Sequence, residues 1–422
     1  MGVQVYCRAC PANHNTMIYL HILGDSTHSL WGLDATTRLQ RQLAQFTEFK
    51  LLPAADVSAA ADPVLVVRAE YLFEPKTLEG LVEAGFKALR CGDDGALAAA
   101  YAPAERAQAA VAALVEQQPG DFEVLGVEDL AAFDGALRKV EPPLLAKVEQ
   151  QSVHRLESVL YGNAYKGITD LVTKWWWPRP ARVVVGWCAS AGISPNAVTI
   201  LGGLLMLASC WLFYHGYYAI GLLGGWIMTF LDTVDGKLAR VTIQSSKLGH
   251  VLDHGMDIVH PPFWYVFWGL SLPYSVPNFE PWLGLSLTTW WVLIVFGYIA
   301  GRLLEGAFHA LGDCSLFAWR PFDAYNRLIT ARRNPLLILL TASIVVQRPD
   351  WGFYAIVVWT LVSSAVMVVR LAQAAVERTR SGPVQSWLAE PVAAARDYPA
   401  AFARFSGTQS AYGDAAKPGS SA

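Results

Sequence analysis

"LDTVDGKLARVTIQSSKLGHVLDHGMD", residues 231–257, sets four aspartates, Asp232, Asp235, Asp253 and Asp257, around one polar loop between two apolar segments. At 3.6 residues per turn Asp232, Asp235, Gly236 and Ala239 share one helix face, and Gly249, Asp253 and Asp257, spaced by four, share a face of the next helix. Ionised aspartates in an apolar span cost a few kcal/mol each and repel one another, so the arrangement is tolerable only around cations. Hard carboxylate oxygens select Mg²⁺ or Mn²⁺ over zinc, and these ions commonly bridge carboxylates to the phosphates of a substrate. Gly236, Ala239 and Gly249 keep the two faces open to a nucleotide-sized group, and Arg240 adds a fixed positive charge. Small residues at such spacing also pack helices together, and the neighbouring aspartates favour the binding reading here.

Outward from this stretch the chain of 422 residues is unevenly apolar: 54% of it is hydrophobic, and the long apolar runs begin only after Pro195. The mean hydropathy of +0.31 exceeds that of an ordinary soluble enzyme. Six apolar segments follow, Asn196–Tyr214, Tyr218–Leu238, Gly249–Leu270, Leu287–Leu311, Asn334–Val346 and Gly352–Leu371. The fifth is short for a hydrocarbon core that needs ~20 residues, and is expected to extend into the preceding "NRLITAR" or to tilt. Pro261 and Pro262 are expected to kink the third. His260, on the face of Asp257, reads as a satisfied buried imidazole. Lys174, Arg179 and Arg182 precede the first segment, Lys237, Arg240 and Lys247 follow the second, Arg320, Arg327, Arg332 and Arg333 follow the fourth, and Arg378 and Arg380 follow the sixth. The alternate loops hold only Arg348 as a cation, so the positive-inside rule places both termini in the cytosol. The expectation is an α-helical polytopic membrane protein of six transmembrane helices with an N-terminal cytosolic α/β domain.

The N-terminal region alternates apolar runs with amphipathic stretches: Met17–Leu23, a helix over Thr36–Phe46, a strand at Val64–Val67, and helices over Leu78–Leu89 and Ala104–Glu116. Domain limits are read at 1–145, an amphipathic connector and interfacial helix at 146–192, the membrane domain at 193–376 and a partly disordered cytosolic tail at 377–422. Trp175, Trp176 and Trp177 beside Lys174, Arg179 and Arg182 are the mixture favoured at a headgroup interface. The tail holds a short helix over Pro391–Phe405. The start of the chain lacks the charged and apolar pattern of a secretory signal. Cys7 and Cys10 with His14 fall short of a zinc ligand set, and the other cysteines read as buried thiols. A formal net charge of −3 with no long basic run excludes a nucleic-acid partner.

The spacing Asp232-x2-Asp235-Gly236-x2-Ala239-Arg240-x8-Gly249-x3-Asp253-x3-Asp257, with "ISPNAVTILG" before it at Ile193–Gly202, resembles the CDP-alcohol phosphotransferase family over roughly Trp177–Ala375. That resemblance implies six transmembrane helices, a homodimer, a two-metal centre of Mg²⁺ or Mn²⁺, a cytosol-facing site, and transfer of a substituted phosphate from a CDP-linked donor to an alcohol with release of CMP. By position, Asp232, Asp235, Asp253 and Asp257 would hold metal, Asp257 would also take the proton of the acceptor hydroxyl, and Gly236, Ala239, Arg240 and Gly249 would line the CMP surface. The N-terminal region is similar to a degenerate sugar nucleotidyltransferase: "VLVVRAEYLFEP" at Val64–Pro75 puts Glu70 where that family carries a metal-binding aspartate, and Gly24-Asp25-Ser26 stands where a Gly-rich triphosphate loop would be.

The acceptor is left open between two chemistries. Arg302, Arg327, Arg332 and Arg333 could hold a phosphate on an acceptor or on a lipid headgroup, as in relatives that use inositol phosphate or glycerol phosphate, although topology alone also accounts for an Arg-rich loop. "LDHGMD" around His254 is similar to choline and ethanolamine phosphotransferases, whose acceptor is diacylglycerol. Two other classes compete with an enzyme: an ion-coupled transporter using the intramembrane acids, against which their place at one edge counts, and a non-catalytic membrane scaffold, against which four intact aspartates count.

Overall fold

The computed structural model describes residues 17–130, 133–135, 137–140, 143–244, 247–312 and 314–407, with the side chains of residues 133, 134, 247–254 and 257 outside that description. Cys7, Cys10 and His14 lie outside the described residues. The chain forms two compact units, Met1–Ala132 with Glu141–Leu160, and Phe133–Val140 with Tyr161–Ala422.

In the first unit the chain runs β1 (Ile18–Leu23), α1 (Ala35–Leu43), β2 (Phe49–Leu51), β3 (Val64–Arg68), β4 (Tyr71–Phe73), α2 (Pro75–Glu83), β5 (Ala88–Arg90), β6 (Leu97–Ala102), α3 (Ala107–Glu116) and β7 (Val124–Leu125). Six of these strands form one mixed sheet in the order β2-β1-β3-β6-β5-β7, with β1 parallel to both neighbours and β6 antiparallel to β3 and β5. Side chains alternate across β3: Leu65 and Val67 join Leu39, Leu43, Leu78 and Leu81, while Val64 and Val66 join Ala107, Ala110 and Leu114 on the other face. A strand covered on both faces is why this stretch is an unbroken apolar run. Asp34 caps α1, its Oδ1 accepting from the Thr37 amide at 2.8 Å. That bond and one from the Thr37 hydroxyl hold its carboxyl below the usual range. The helix expected over Leu78–Leu89 is divided: Gly85, at φ +87°, closes the turn after α2, and Ala88–Arg90 is a strand. Glu70 pairs with Arg68 at 2.6 Å.

The second unit contains the hairpin of β8 (Phe133–Asp134) and β9 (Lys139–Val140). The first unit takes up the chain again with β10 (Leu145–Lys147), antiparallel to β4, and most of α4 (Val153–Asn163). From there the second unit comprises a π-turn at Val172–Trp176, α5 (Pro178–Ser190), α6 (Pro195–Tyr214), α7 (Tyr218–Val241), α8 (Lys247–Ser275), α9 (Leu287–His309), α10 (Pro321–Ile329), α11 (Arg333–Val345), α12 (Pro349–Ser381), α13 (Pro391–Asp397) and α14 (Pro399–Phe405).

Helices α6, α9 and α12 are each long and apolar enough to cross a membrane, and α10 with α11, bent by 41°, makes a fourth crossing if the pair is one span. Of the six segments expected, α7 and α8 have the length, 24 and 29 residues, but carry the charged motif at their shared end. The short fifth segment is lengthened by a separate helix. Pro335 explains the break, since its ring would clash with the carbonyl of Ala331 in a helix continued from α10. The sixth segment, expected to end at Leu371, continues to Ser381.

Helix α8 continues through both Pro261 and Pro262. Pro262 cannot donate to the carbonyl of Ile258, and the Tyr298 hydroxyl on α9 donates to that carbonyl at 2.8 Å. Trp264, Tyr265 and Trp268 of the same helix are fully buried, with the indole N–H groups of Trp264 and Trp268 donating to the carbonyls of Met206 and Pro349. Gly225 leaves room for Trp264, whose ring carbons lie 3.2 Å from where a Cβ would stand. At the ends of the helices away from residues 231–257, Trp211, Tyr217, Tyr274, Trp282 and Trp351 are exposed, and Trp175, Trp176 and Trp187 are exposed before α6. Two aromatic girdles bounding apolar helices are what a bilayer selects.

In the described part of the tail Val384, Trp387, Leu388 and Phe405 are buried, and the single helix expected over Pro391–Phe405 is two, divided at Tyr398-Pro399. Residues 408–422 lie outside the described residues.

Candidate active site

The last three turns of α7 carry Asp232, Asp235, Gly236, Ala239 and Arg240 at offsets of three and four, so they fall along one stripe. Asp235 is buried, and its Oδ2 accepts from the Thr199 hydroxyl of α6 at 2.6 Å. Asp232 is partly open, and its Oδ2 accepts from Arg333 Nη2 at 2.5 Å. Arg240 folds back over Gly236, its Nη2 lying 3.2 Å from where a Cβ would stand. A larger residue at 236 would displace that guanidinium. Lys237 is buried, donates from Nζ to the Ala164 carbonyl at 2.6 Å and rests over the Tyr165 ring at 3.1 Å. This staple ties α7 to the stretch between α4 and the π-turn.

That stretch presents Lys166, Thr169, Asp170 and Thr173. Asp170 caps the π-turn: its Oδ1 accepts from the amides of Val172 and Thr173, its Oδ2 from the Thr173 hydroxyl at 2.9 Å, and Asn334 Nδ2 donates to Oδ1 at 3.0 Å. Burial pushes its carboxyl up, but the positive charge of Arg327 and these hydrogen bonds outweigh it and hold the group below the usual carboxylate range. Gly167 has no space for a Cβ, with the carbonyls of Phe405 and Arg138 2.2 and 2.6 Å from that position.

These elements enclose a cavity of about 320 Å³. Asp232, Gly236 and Arg240 line it from α7, Arg302 and Glu305 from α9, Arg327 from α10, and Arg332, Arg333 and Asn334 from the start of α11. Arg138 of the hairpin, Lys166, Asp170 and Lys237 complete its charged wall, so eight cationic side chains meet three acidic ones. Glu305 is shared: Arg332 pairs with it closely and Arg302 lies 3.8 Å away. Such a surplus of desolvated positive charge is a standing attraction for an anion.

The structure thus brings Asp232, Gly236, Arg240, Arg302, Arg327, Arg332 and Arg333 to one cavity, while Asp235 and Ala239 lie on the same helix outside its lining. Gly249, Asp253, His254 and Asp257 fall in the part of α8 whose side chains are outside the description. Among the described residues no group of three His, Cys, Asp or Glu could hold a metal ion. His260 is buried, with Nδ1 against the Met256 carbonyl and its ring on Trp264. Arg138, Lys166, Asp170 and Asn334 are not singled out by sequence reasoning, and Lys237 is read there only as a topology cation. The Asp170-x-x-Thr173 cap and the lysine inside the aspartate motif are legible afterwards, whereas nothing local marks Arg138.

Residues 192–304 match the model of the CDP-alcohol phosphatidyltransferase family. Among curated proteins, cholinephosphotransferase 1 of Gallus gallus is 33% identical over 137 residues, which cover 28% of this chain and 38% of that protein. Archaetidylinositol phosphate synthase of Pyrococcus horikoshii is 43% identical over 72 residues, 16% of this chain and 37% of the other. Choline/ethanolaminephosphotransferase 2 of Arabidopsis thaliana is 32% identical over 108 residues, 23% and 26% of the two chains. The chain therefore spans well under half the length of the relatives it matches.

Proposed function

We propose, on the match of residues 192–304 to the CDP-alcohol phosphatidyltransferase family model, that the chain is an integral membrane transferase that moves a substituted phosphate from a CDP-linked donor to an alcohol acceptor and releases CMP. The observation that carries this reading is the α7 stripe of Asp232, Gly236 and Arg240 opening on a cavity rich in arginine. In this reading the membrane domain, residues 193–376, has six transmembrane helices, with both termini and the site on the cytosolic side, and the protein works as a homodimer among membrane lipids.

Asp232, Asp235, Asp253 and Asp257 would hold Mg²⁺ or Mn²⁺. The fit is supported by Asp232, which already takes a cation, the Arg333 guanidinium, and by a second hard-oxygen donor one turn away. A bound divalent ion would supply charge neutralisation of the donor diphosphate. Gly236, Ala239, Arg240 and Gly249 line the CMP surface, Gly236 by having no Cβ where the nucleotide and the Arg240 guanidinium must both fit. Arg302, Arg327, Arg332 and Arg333, and His254 by its place in the motif, would bind the acceptor.

The acceptor oxygen forms a bond to the phosphorus of the transferred group as the bond from that phosphorus to the CMP oxygen breaks. CMP departs with the bonding pair, and the hydroxyl proton passes to Asp257. The test is CMP release by the purified protein in lipid with Mg²⁺, offering CDP-diacylglycerol and, separately, CDP-linked small alcohols, each with and without alcohol acceptors. Acceptor-dependent release is expected, falling ~10²–10⁴-fold in Asp257→Asn. Undiminished release in that variant would remove Asp257 from the role given to it.

A further inference from the structure

Arg348 is the one Lys or Arg in the three loops at the helix ends away from residues 231–257, and the reaction above makes no use of it. With Glu280, Trp282, Asp350, Trp351 and Tyr354 it lines a cavity of about 480 Å³, the size of a small-ligand site. Its charges are unequally matched. Arg348 donates from Nε to Asp350 Oδ1 at 2.9 Å and from Nη2 to Oδ2, and its Cζ lies 4.2 Å from the centre of the Trp351 ring. Asp350 is only 6% exposed, so its carboxylate is taken up by this fork. One edge of the guanidinium is thereby used, and Nη1 has no partner among the described residues. Glu280 is exposed and has neither a hydrogen bond nor an ion pair among the described residues.

The rim is fixed in advance. Trp282 stacks on Trp290 with ring centres 5.5 Å apart, its amide donates to the Tyr354 hydroxyl at 3.2 Å, and Leu283 takes a left-handed φ of +55° in the turn that follows. An interfacial girdle accounts for the exposed rings, but not for a turn that holds a free carboxylate and a free guanidinium edge on one cavity. Below the rim the wall continues along α12 with Ala355 and Val358. At offsets of four, three and four, Trp351, Ala355, Val358 and Val362 make one exposed stripe on a helix long and apolar enough to cross a membrane. The cavity thus joins a mouth with separate anionic and cationic groups to an apolar track.

We infer that this cavity binds a zwitterionic phospholipid, with the phosphate on the open edge of Arg348, the ammonium between Glu280 and the face of Trp282, and an acyl chain along the α12 stripe. An anionic lipid would bring its charge to two carboxylates served by a single guanidinium, and an uncharged lipid would use neither Glu280 nor Arg348. The site is independent of the transferase reading. A lipid seated there ties the turn before α9 to the start of α12, at the end of the helices remote from the aspartate motif.

The test is native mass spectrometry of the full chain in detergent. It is titrated with phosphatidylethanolamine, phosphatidylcholine and phosphatidylglycerol of the same acyl chains, and with glycerophosphoethanolamine, which has the first headgroup and no chains. The wild type is expected to bind the two zwitterionic lipids about 10-fold more tightly than phosphatidylglycerol, the worth of one charge-assisted contact, and the chainless compound weakly. Glu280→Gln should remove that preference and Glu280→Lys should reverse it, an inversion that a merely structural defect would not produce. Arg348 is left in place, because its removal would strand the buried Asp350. Position 280 is exposed, so both variants should unfold at the wild-type temperature in lipid-free detergent. Equal affinity for zwitterionic and anionic lipids in the wild type, or an unchanged order in Glu280→Lys, would overturn the inference. Glycerophosphoethanolamine binding as tightly as its lipid would overturn the lipid as occupant and put a soluble phosphate–ammonium compound in its place.

Discussion

Lys174 shows how a single side chain can record the packing of distant segments. Its Nζ donates to the Gly167 carbonyl at 2.9 Å and lies 5.3 Å from the centre of the Phe405 ring. Burial, and then the charge of Arg404, lower its pKa to about 8. Between about pH 8 and the ordinary lysine value near 10.4 the unfolded chain holds more protons than the folded one, so stability should rise with pH across that window. Thermal unfolding in lipid at pH 7.5 and pH 10 should therefore differ in the wild type, and Lys174→Met should flatten the difference; an equal slope in both proteins would mean that Lys174 is not desolvated. From sequence this lysine reads as an interfacial anchor, which accounts for its neighbours Trp175 and Trp176 but not for its contact with the tail. Asp232 and Asp235, by contrast, are legible in the sequence because helical spacing alone sets them in one stripe of α7. Arg138 was not, because its place depends on partners at Gly167 and Ser406 that no local pattern connects to it.

Among the elements, α8 and the pair α10–α11 respond to proline in opposite ways. In α8 the Tyr298 hydroxyl occupies the carbonyl that Pro262 leaves free, and the helix runs on. Removing that hydroxyl by Tyr298→Phe should leave a polar group unsatisfied in an apolar setting and cost about 1–3 kcal/mol, read as a lowered unfolding temperature in detergent. No change in that temperature would indicate that another donor reaches Ile258. Before α11 no such rescue is made. The chain turns at Thr330, and Pro335 sits within the first turn of the new helix, where its missing N–H costs nothing. Hydropathy marked both regions as apolar, but proline marked only α8 as suspect, and there the outcome turned on a tyrosine forty residues from the carbonyl it serves. A similar limit applies to the end of the helix expected at Leu78–Leu89, where periodicity blurred a helix and a short strand that Gly85 separates.

For the whole molecule, the proposed chemistry predicts dependence on a divalent ion. Chelation followed by dialysis should abolish CMP release, and Mg²⁺ or Mn²⁺ should restore it, whereas full activity after chelation would count against the carboxylate site. The cavity is assembled from stretches that leave the ribosome far apart in time: the hairpin at Phe133–Val140 is made before any of the apolar helices, and Ser406, whose carbonyl receives the Val140 amide, comes after all of them. Contacts of such long sequence separation form late. Maturation of this protein is consequently ordered, since Arg138 can be clamped in place only once the final helices have been made, and a nascent chain stalled before its tail would leave one wall of the cavity unfixed.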